Sequence, residues 1–226
     1  YVRAVQKLGG DYRIVIEHTC DVFSVYILVQ TLAGPLEPIA SQVDDQRGWA
    51  GKVAVKAGET IAYDGGRPDY DYSLFDRRVT LTGLNPRSYS EMEQWKIHTV
   101  DPFAYLTEPV RSELLAKNLR TLEPRGGKID YDVNGTASGN WFVKDTHGYA
   151  GDPANRTLGE IGSTQAKGYW DTHLAIAPDV IDPTHYIVSS GDFGGTTVQY
   201  AIDVDPTKIT AASGPVALVM HGFFYV

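Results

Sequence analysis

Cysteine is almost missing from this chain, because Cys20 is the single thiol among 226 residues. One cysteine excludes an internal disulfide and leaves open a disulfide to another chain. A nucleophilic thiol needs a partnered base, and no third group in the sequence orients the nearby His18 for that role. We therefore expect Cys20 to be a buried structural thiol.

Long apolar runs and clusters of positive charge are also missing. No run approaches the length of a membrane-spanning helix, so we expect no membrane span. The formal net charge is −8 and the 20 lysines and arginines are scattered, which argues against a nucleic-acid partner. A phosphate-cradling glycine loop and a nucleophile elbow are both absent from the sequence. Contents of 42% hydrophobic and 21% charged residues are those of an ordinary globular protein.

Short alternating apolar runs, separated by glycine and proline turns, are the main feature that is present, and they predict an all-β protein. In the first third we expect strands over 2–6, 12–18 and 22–30, followed by a long loop over 31–52. Both chain ends fall inside strand-like patterns. We therefore expect a chain that is cut at both ends, in which a missing targeting signal carries no weight.

The stretch 53–76, VAVKAGETIAYDGGRPDYDYSLFD, is the most regular part of the first third. Three short apolar runs are joined by turns at Gly58 and at Asp64-Gly65-Gly66, where glycine suits a positive φ. This pattern predicts three strands that pair with one another as a small antiparallel unit. A further strand over 79–82 would complete the first domain, which we place at residues 1–86.

One helix is predicted, within a connector over 87–126. The segment 109–120, PVRSELLAKNLR, places Val110, Leu114, Leu115 and Leu119 at helical spacing. We expect this apolar stripe to face a core, with a partner-binding helix as the alternative.

Strand and turn signals then return in a second domain over 127–226. We expect strands at 128–133, 137–144, 169–177, 185–191, 196–204 and 216–226, which favour an antiparallel β-barrel or sandwich. Gly139-Asn140-Trp141 faintly resembles the G-x-W strand of lipocalin-type barrels, and we expect Trp141 to be a core residue that closes a barrel end.

The first third resembles the lysostaphin-type (LytM-like) zinc endopeptidases of bacterial cell walls. DYRIVIEH over 11–18 resembles the strand N-Y-V-V-I-D-H of that family, and VYILV over 25–29 resembles its strand Y-Y-A-H-L. The order of strand, x-x-G-[ED]-x-[IV]-x-Y, glycine turn and short strand over 53–76 resembles the family core. The resemblance covers about residues 1–85 and implies a small antiparallel β domain.

The same resemblance implies that the zinc ligands are lost. The histidine of Y-A-H-L corresponds to Leu28, which cannot coordinate a metal, and the H-x-H pair corresponds to Asp69 and Asp71. We expect no cofactor, no metal and no catalytic residue in this domain. Asp69 and Asp71, with Asp64 nearby, could hold a hard cation or could be solvated charges on an edge strand, and we favour the second.

A remnant groove is the expected binding site. Its candidate residues are Leu28, Tyr63, Asp69, Tyr70, Asp71 and Tyr72. An aromatic groove without a metal could stack on sugar rings or bind a glycine-rich peptide. We expect a non-catalytic extracytoplasmic protein that binds a cell-wall or extracellular polysaccharide or peptide.

Two alternatives remain open at this point. The first is a hydrolase with its active site in the second domain, formed by Asp171, His173, Asp182 and His185. The second is a structural subunit of an extracellular assembly, since edge strands at the chain ends could pair between copies to form a homo-oligomer.

Overall fold

A computed structural model describes residues 1–66, 69–151, 172–192 and 195–222. These residues form three antiparallel sheets, which confirms the predicted all-β class. The chain divides into two compact units. Unit 1 contains Tyr1–Thr80 and His98–Val100, and unit 2 contains Leu81–Ile97 and the described residues from 101 onward. The domain boundaries at residues 86 and 126 stay a prediction. Within the described ranges, no helix has the length and apolar character needed to cross a membrane.

Unit 1 is built on a six-stranded antiparallel sheet and a separate pair of short strands. The strands are β1 (Val2–Leu8), β2 (Asp11–Glu17), β3 (Val22–Val29), β4 (Thr31–Leu32), β5 (Trp49–Val53), β6 (Ala62–Tyr63), β7 (Asp71–Asp76) and β8 (Thr99–Val100). The large sheet has the order β5-β1-β2-β3-β7-β8, and β4 pairs with β6. The three strands predicted within the first thirty residues are thereby confirmed.

A cluster of buried hydrophobic residues of unit 1 lies on one face of this sheet. Buried residues of β2 alternate with half-buried ones, so that Tyr12, Ile14 and Ile16 share that face. A 3-10 helix over Gly34–Gln42 packs Leu36 and Ile39 into the same core.

The prediction of a long loop over 31–52 was therefore wrong, because this stretch contains β4, the 3-10 helix and most of β5. Leu36 and Ile39 are three residues apart, which is one turn of a 3-10 helix, and Pro35 suits its first turn. An apolar pair at this spacing carries no α-helical or β-strand period, so it does not stand out in the sequence.

The predicted pairing within 53–76 was also wrong. Gly58 and Gly65 do adopt positive φ values of 79° and 71°. However, the strands on either side of these turns pair elsewhere: β5 with β1, β6 with β4 and β7 with β3. Residues 79–82 form no strand, and β8 occupies the edge beside β7 instead.

Unit 2 contains a five-stranded antiparallel sheet. Its strands are β9 (Gly139–Phe142), β10 (His173–Pro178), β11 (Tyr186–Ser190), β12 (Val198–Ile202) and β13 (Met220–His221). The order is β13-β12-β11-β10-β9, and within the described residues this sheet is open, with no closed barrel. The predicted strand over 128–133 is absent, and the predicted ends at 169–171 and 223–226 lie outside the described residues.

Trp141 does not close a barrel end as expected, because the residue is 47% exposed on β9. Its indole nitrogen donates to the carbonyl oxygen of Ala137 at 2.8 Å, so the polar edge of the ring is satisfied locally.

Short helices make up the rest of the regular structure of the described chain. The α-helix α1 spans Val110–Lys117, and the remaining 3-10 helices are Pro86–Tyr89, Gln94–His98, Pro102–Ala104, Gly148–Ala150, Pro206–Lys208 and Ala211–Ser213.

The apolar stripe of α1 does not face a core, which corrects the sequence prediction. Val110 and Leu114 are 46% and 42% exposed, and no residue of α1 is buried. The helix ends at Lys117, so Leu119 falls outside it and the stripe covers only two turns. The buried side chain of this region is Arg120.

Cys20 is exposed, so the expectation of a buried structural thiol was wrong. The residue belongs to the bend between β2 and β3, beyond the last buried position of β2.

Candidate functional site

A groove with a volume of about 800 Å³ opens on unit 1. Its floor is the face of the sheet on which Ile14 lies opposite Tyr26 across β2 and β3. The segment from Val55 to Asp64 also lines the groove, and it follows β5 and includes β6. The volume falls in the range of small-molecule and oligomer sites in proteins.

A connected set of polar side chains lies along the floor. The Nε2 atom of His18 is 2.8 Å from the hydroxyl oxygen of Ser24. Tyr26 follows Ser24 by two residues on β3, and its ring packs against that of Tyr72. His18 and Tyr26 line the groove, whereas Ser24 is fully buried beneath them.

Burial controls the protonation of this set. Burial raises the pKa of Tyr26 and of Tyr72, so both phenols stay neutral at physiological pH. Partial burial of the His18 ring lowers its pKa, although the residue keeps solvent access at the edge of the groove. The floor therefore presents neutral hydrogen-bonding groups.

The rim carries two exposed aromatic rings. Tyr63 and Tyr70 both line the groove, with 59% and 57% of each residue exposed. Tyr63 is held by its backbone, because its carbonyl oxygen accepts from the amide of Gln30 at 2.9 Å. The ring faces are thus available to a ligand while the backbone beneath Tyr63 is fixed.

The carboxylates of the lining take part in local structure. Glu17 pairs with Arg3 at 3.2 Å, and Glu59 accepts from the backbone amide of Lys56 at 2.8 Å. Asp64 accepts from the amide of Gly66 at 2.9 Å.

The candidate residues predicted from sequence fall into three groups. Tyr63 and Tyr70 line the groove, and Tyr72 lies beneath it, with its ring centroid 5.0 Å from that of Tyr26. Asp69 is exposed and does not line the groove. Leu28 and Asp71 remain, and they are placed by a β-bulge in β3 and by the pairing of β7 with β3, respectively.

Leu28 lies at this bulge in β3. Its φ is 68°, and the pairing of β2 with β3 shifts by one residue between Tyr12 and Ile14. Asp71 lies opposite Ile27, whereas Tyr72 lies opposite Tyr26. Because side chains alternate along a strand, Asp71 points to the face of the sheet away from the groove.

The residues at the positions of the family's zinc ligands do not fit a zinc site. Leu28 offers no donor atom, and Asp69 and Asp71 do not reach the groove. In the part of the chain that the structure describes, no cluster of three or more histidine, cysteine, aspartate or glutamate side chains could hold a metal ion.

The described residues of the alternative hydrolase site in unit 2 do not lie close enough together to form one site. His173 begins β10, and His185 precedes β11 at the other end of the same hairpin. Six residues of strand separate the two ends by roughly 20 Å. Asp182 lies 3.8 Å from His185, and Asp171 lies outside the described residues.

His173 has a local structural environment. Its Nε2 atom is 3.1 Å from the amide oxygen of Asn140, and its ring stacks on Phe142 at 5.0 Å. Burial, followed by the charge of Lys96, lowers the pKa of His173 to about 4.

Sequence reasoning missed Ser24 and Tyr26. Their spacing of two residues on a predicted strand places them on one face, which was available from the sequence. Their partners were not, because the approach of His18 and Tyr72 depends on the pairing of β3 with its neighbours.

Comparisons with protein-family models, with curated proteins and with solved structures found no match for this chain.

Proposed function

We propose that unit 1 is a non-catalytic, extracytoplasmic binding module. A metal-free, peptidase-like scaffold holds a cell-wall or extracellular polymer, either a polysaccharide or a peptide, in the groove described above. The observation that carries this proposal is that two exposed rings, Tyr63 and Tyr70, border a groove whose floor includes the half-buried Tyr26. Exposed aromatic rings beside fixed polar groups are the usual composition of a binding site.

The contact between His18 and Ser24 does not form a hydrolytic pair, which favours binding over hydrolysis. A nucleophilic serine must reach the reacting carbon of a substrate. Ser24 is fully buried, so its hydroxyl oxygen is closed to a substrate even though His18 lies at hydrogen-bond distance.

Binding to insoluble polymers tests the proposal. Purified full-length chain is mixed with peptidoglycan and with chitin, and the bound fraction is measured against protein concentration. We expect the double variant Tyr63→Ala/Tyr70→Ala to bind about ten-fold more weakly, because each ring contributes stacking area. The matched control is Tyr105→Ala/Tyr200→Ala, which removes two exposed tyrosines from unit 2.

Two results would count against the proposal. Equal binding by both double variants would mean that the groove is not the site. Release of soluble fragments from either polymer by the purified chain, abolished by a groove variant, would mean that unit 1 is catalytic. Fractionation of cells that produce the protein tests the extracytoplasmic location.

A further inference from the structure

The short strand β6 leaves one of its edges open beside the groove. In the described chain β6 pairs with β4 alone, in a two-stranded sheet. Every residue from Val55 to Asp64 lines the groove, whereas neither residue of β4 does. The groove therefore runs beside β6 on the side away from β4.

Hydrogen bonds to the β4 side fix the direction of the backbone groups of Ala62. The amide of Ala33 donates to the carbonyl oxygen of Ile61 at 2.8 Å. The amide of Gln30 donates to the carbonyl oxygen of Tyr63 at 2.9 Å. Backbone groups of successive residues in an extended strand point to opposite edges. The N–H and C=O groups of Ala62, which lies between these two residues, therefore point away from β4.

This pair of backbone groups matches the backbone of a second extended chain. A residue whose N–H and C=O groups point to one edge exchanges two hydrogen bonds with an adjacent strand. Addition of a strand to an open edge is an established mode of peptide recognition. A sugar chain has no backbone donors and acceptors that alternate in this way, so the edge of β6 favours a peptide.

The aliphatic part of the floor favours apolar side chains on that peptide. Ile14, Ile16 and Val29 line the groove and are buried. Every second side chain of a strand lies on one face, so alternate residues of an added peptide face this floor. Aliphatic side chains gain apolar contact there, whereas sugar hydroxyls lose water without gaining a partner from these residues.

The charge of the lining favours basic residues at the remaining positions. Arg3 neutralises Glu17, because the two side chains form an ion pair at 3.2 Å. Glu59 and Asp64 then outnumber Lys56 among the other charged side chains of the lining. An excess of carboxylates attracts a cationic ligand and repels an anionic one.

We infer that the groove binds an extended peptide segment with alternating apolar and basic side chains, which pairs with Ala62 as an added strand. This inference rests on the proposed function and selects the peptide from its two ligand classes. The backbone of the ligand supplies the hydrogen bonds, and the floor selects its side chains.

A hexapeptide of valine alternating with lysine, acetylated and amidated at its ends, tests the inference. Its affinity for the full chain is measured by calorimetric titration. N-methylation of its valines, or of its lysines, gives two matched ligands that each lose the backbone donors of one edge. An added strand uses one edge, so one methylated peptide should bind about ten-fold more weakly and the other should bind like the parent.

Other probes test the side chains and the ligand class. A hexapeptide of valine alternating with glutamate should bind about three-fold more weakly than the parent. Hexaglycine keeps the backbone and lacks the side chains, and a β-linked glucose hexamer represents a sugar chain. Both should bind more weakly than the parent peptide.

Variants of Ala62 assign the contact to β6. Ala62→Pro removes the N–H group that points away from β4 and keeps the carbonyl oxygens of Ile61 and Tyr63. It should lower the affinity for the parent peptide about three- to ten-fold. Ala62→Ser keeps the N–H group and is the matched control. If Ala62→Pro does not fold, as judged by urea denaturation, the two methylated peptides still decide the result.

The failures of the two proposals are distinguishable. Equal affinities of the two methylated peptides would overturn strand addition. A tighter complex with hexaglycine or with the glucose hexamer would overturn the choice of ligand and leave a polymer-binding groove in place. Binding of peptidoglycan or chitin without binding of the parent peptide would also overturn this inference alone. If no probe and neither insoluble polymer binds, both this inference and the proposed function fail.

Discussion

Tyr26 and Tyr72 face each other across β3 and β7, with ring centroids 5.0 Å apart and ring planes inclined by 55°. The pair joins the floor of the groove to the outer half of the six-stranded sheet.

The first prediction concerns the stability of this pair. Tyr72→Ala should lower the free energy of unfolding of unit 1 by about 2 to 3 kcal/mol, because a half-buried ring and its cross-strand contact are lost. Tyr72→Phe keeps the ring and should cost less than about 1 kcal/mol, because only the hydroxyl is lost. Urea denaturation measures both. A cost for Tyr72→Ala no larger than that of the exposed control Tyr105→Ala would contradict the packing role.

The second prediction concerns the lost zinc ligands. The double variant Leu28→His/Asp71→His places imidazoles at two positions that match the ligands of the resembled family. We expect no stoichiometric zinc binding, because two imidazoles fall short of the three or four protein ligands of a zinc site, and the described residues hold no cluster that would supply the others. Metal analysis after dialysis against zinc measures the result. One zinc per chain in the variant and none in the wild type would contradict this prediction.

The third prediction concerns His173 and acid. Its pKa is about 4 in the folded chain, below the ordinary value of 6.5, so the unfolded chain binds the proton more readily. The contribution to stability is complete above pH 6.5 and is lost as the pH falls towards 4. The free energy of unfolding should fall by up to about 3 kcal/mol over this window.

His173→Gln tests that assignment, because glutamine is neutral and can still donate to Asn140. The variant should lose less stability between pH 6.5 and 4 than the wild type, as measured by urea midpoints at both pH values. An equal loss of stability between pH 6.5 and 4 in the variant and the wild type would show that another group is responsible.

The fourth prediction concerns the exposed face of α1. Leu114→Ala should change the free energy of unfolding by no more than about 0.5 kcal/mol, because the side chain is 42% exposed. Leu36→Ala, which truncates a fully buried core residue, is the contrasting variant and should cost about 3 kcal/mol. Similar costs for the two would mean that α1 packs against a core after all.

The parts of the fold that were predictable rest on local signals. The alternation of DYRIVIE identifies β2 and the residues it buries, and helical spacing identifies α1. Tyr63 and Tyr70 were named as candidates because they cluster near the groove that the family resemblance implied, and both line the groove of unit 1.

The errors share a non-local origin. Gly58 and Gly65 make their turns, yet the strands beside them pair with distant partners, and no turn residue encodes that choice. The stripe on α1 has the same period whether it meets a core or solvent. The exposure of Cys20 likewise follows from where the bend after β2 lies.

The amino-acid sequence alone determined the all-β class, the first three strands and the single α-helix of the described chain, because side-chain periodicity along a segment is a local property. Tertiary structure decided which strands pair, which face Asp71 occupies and that His18, Ser24, Tyr26 and Tyr72 meet at one groove. These residues lie up to about fifty positions apart in the chain, and only the pairing of β2, β3 and β7 brings them together.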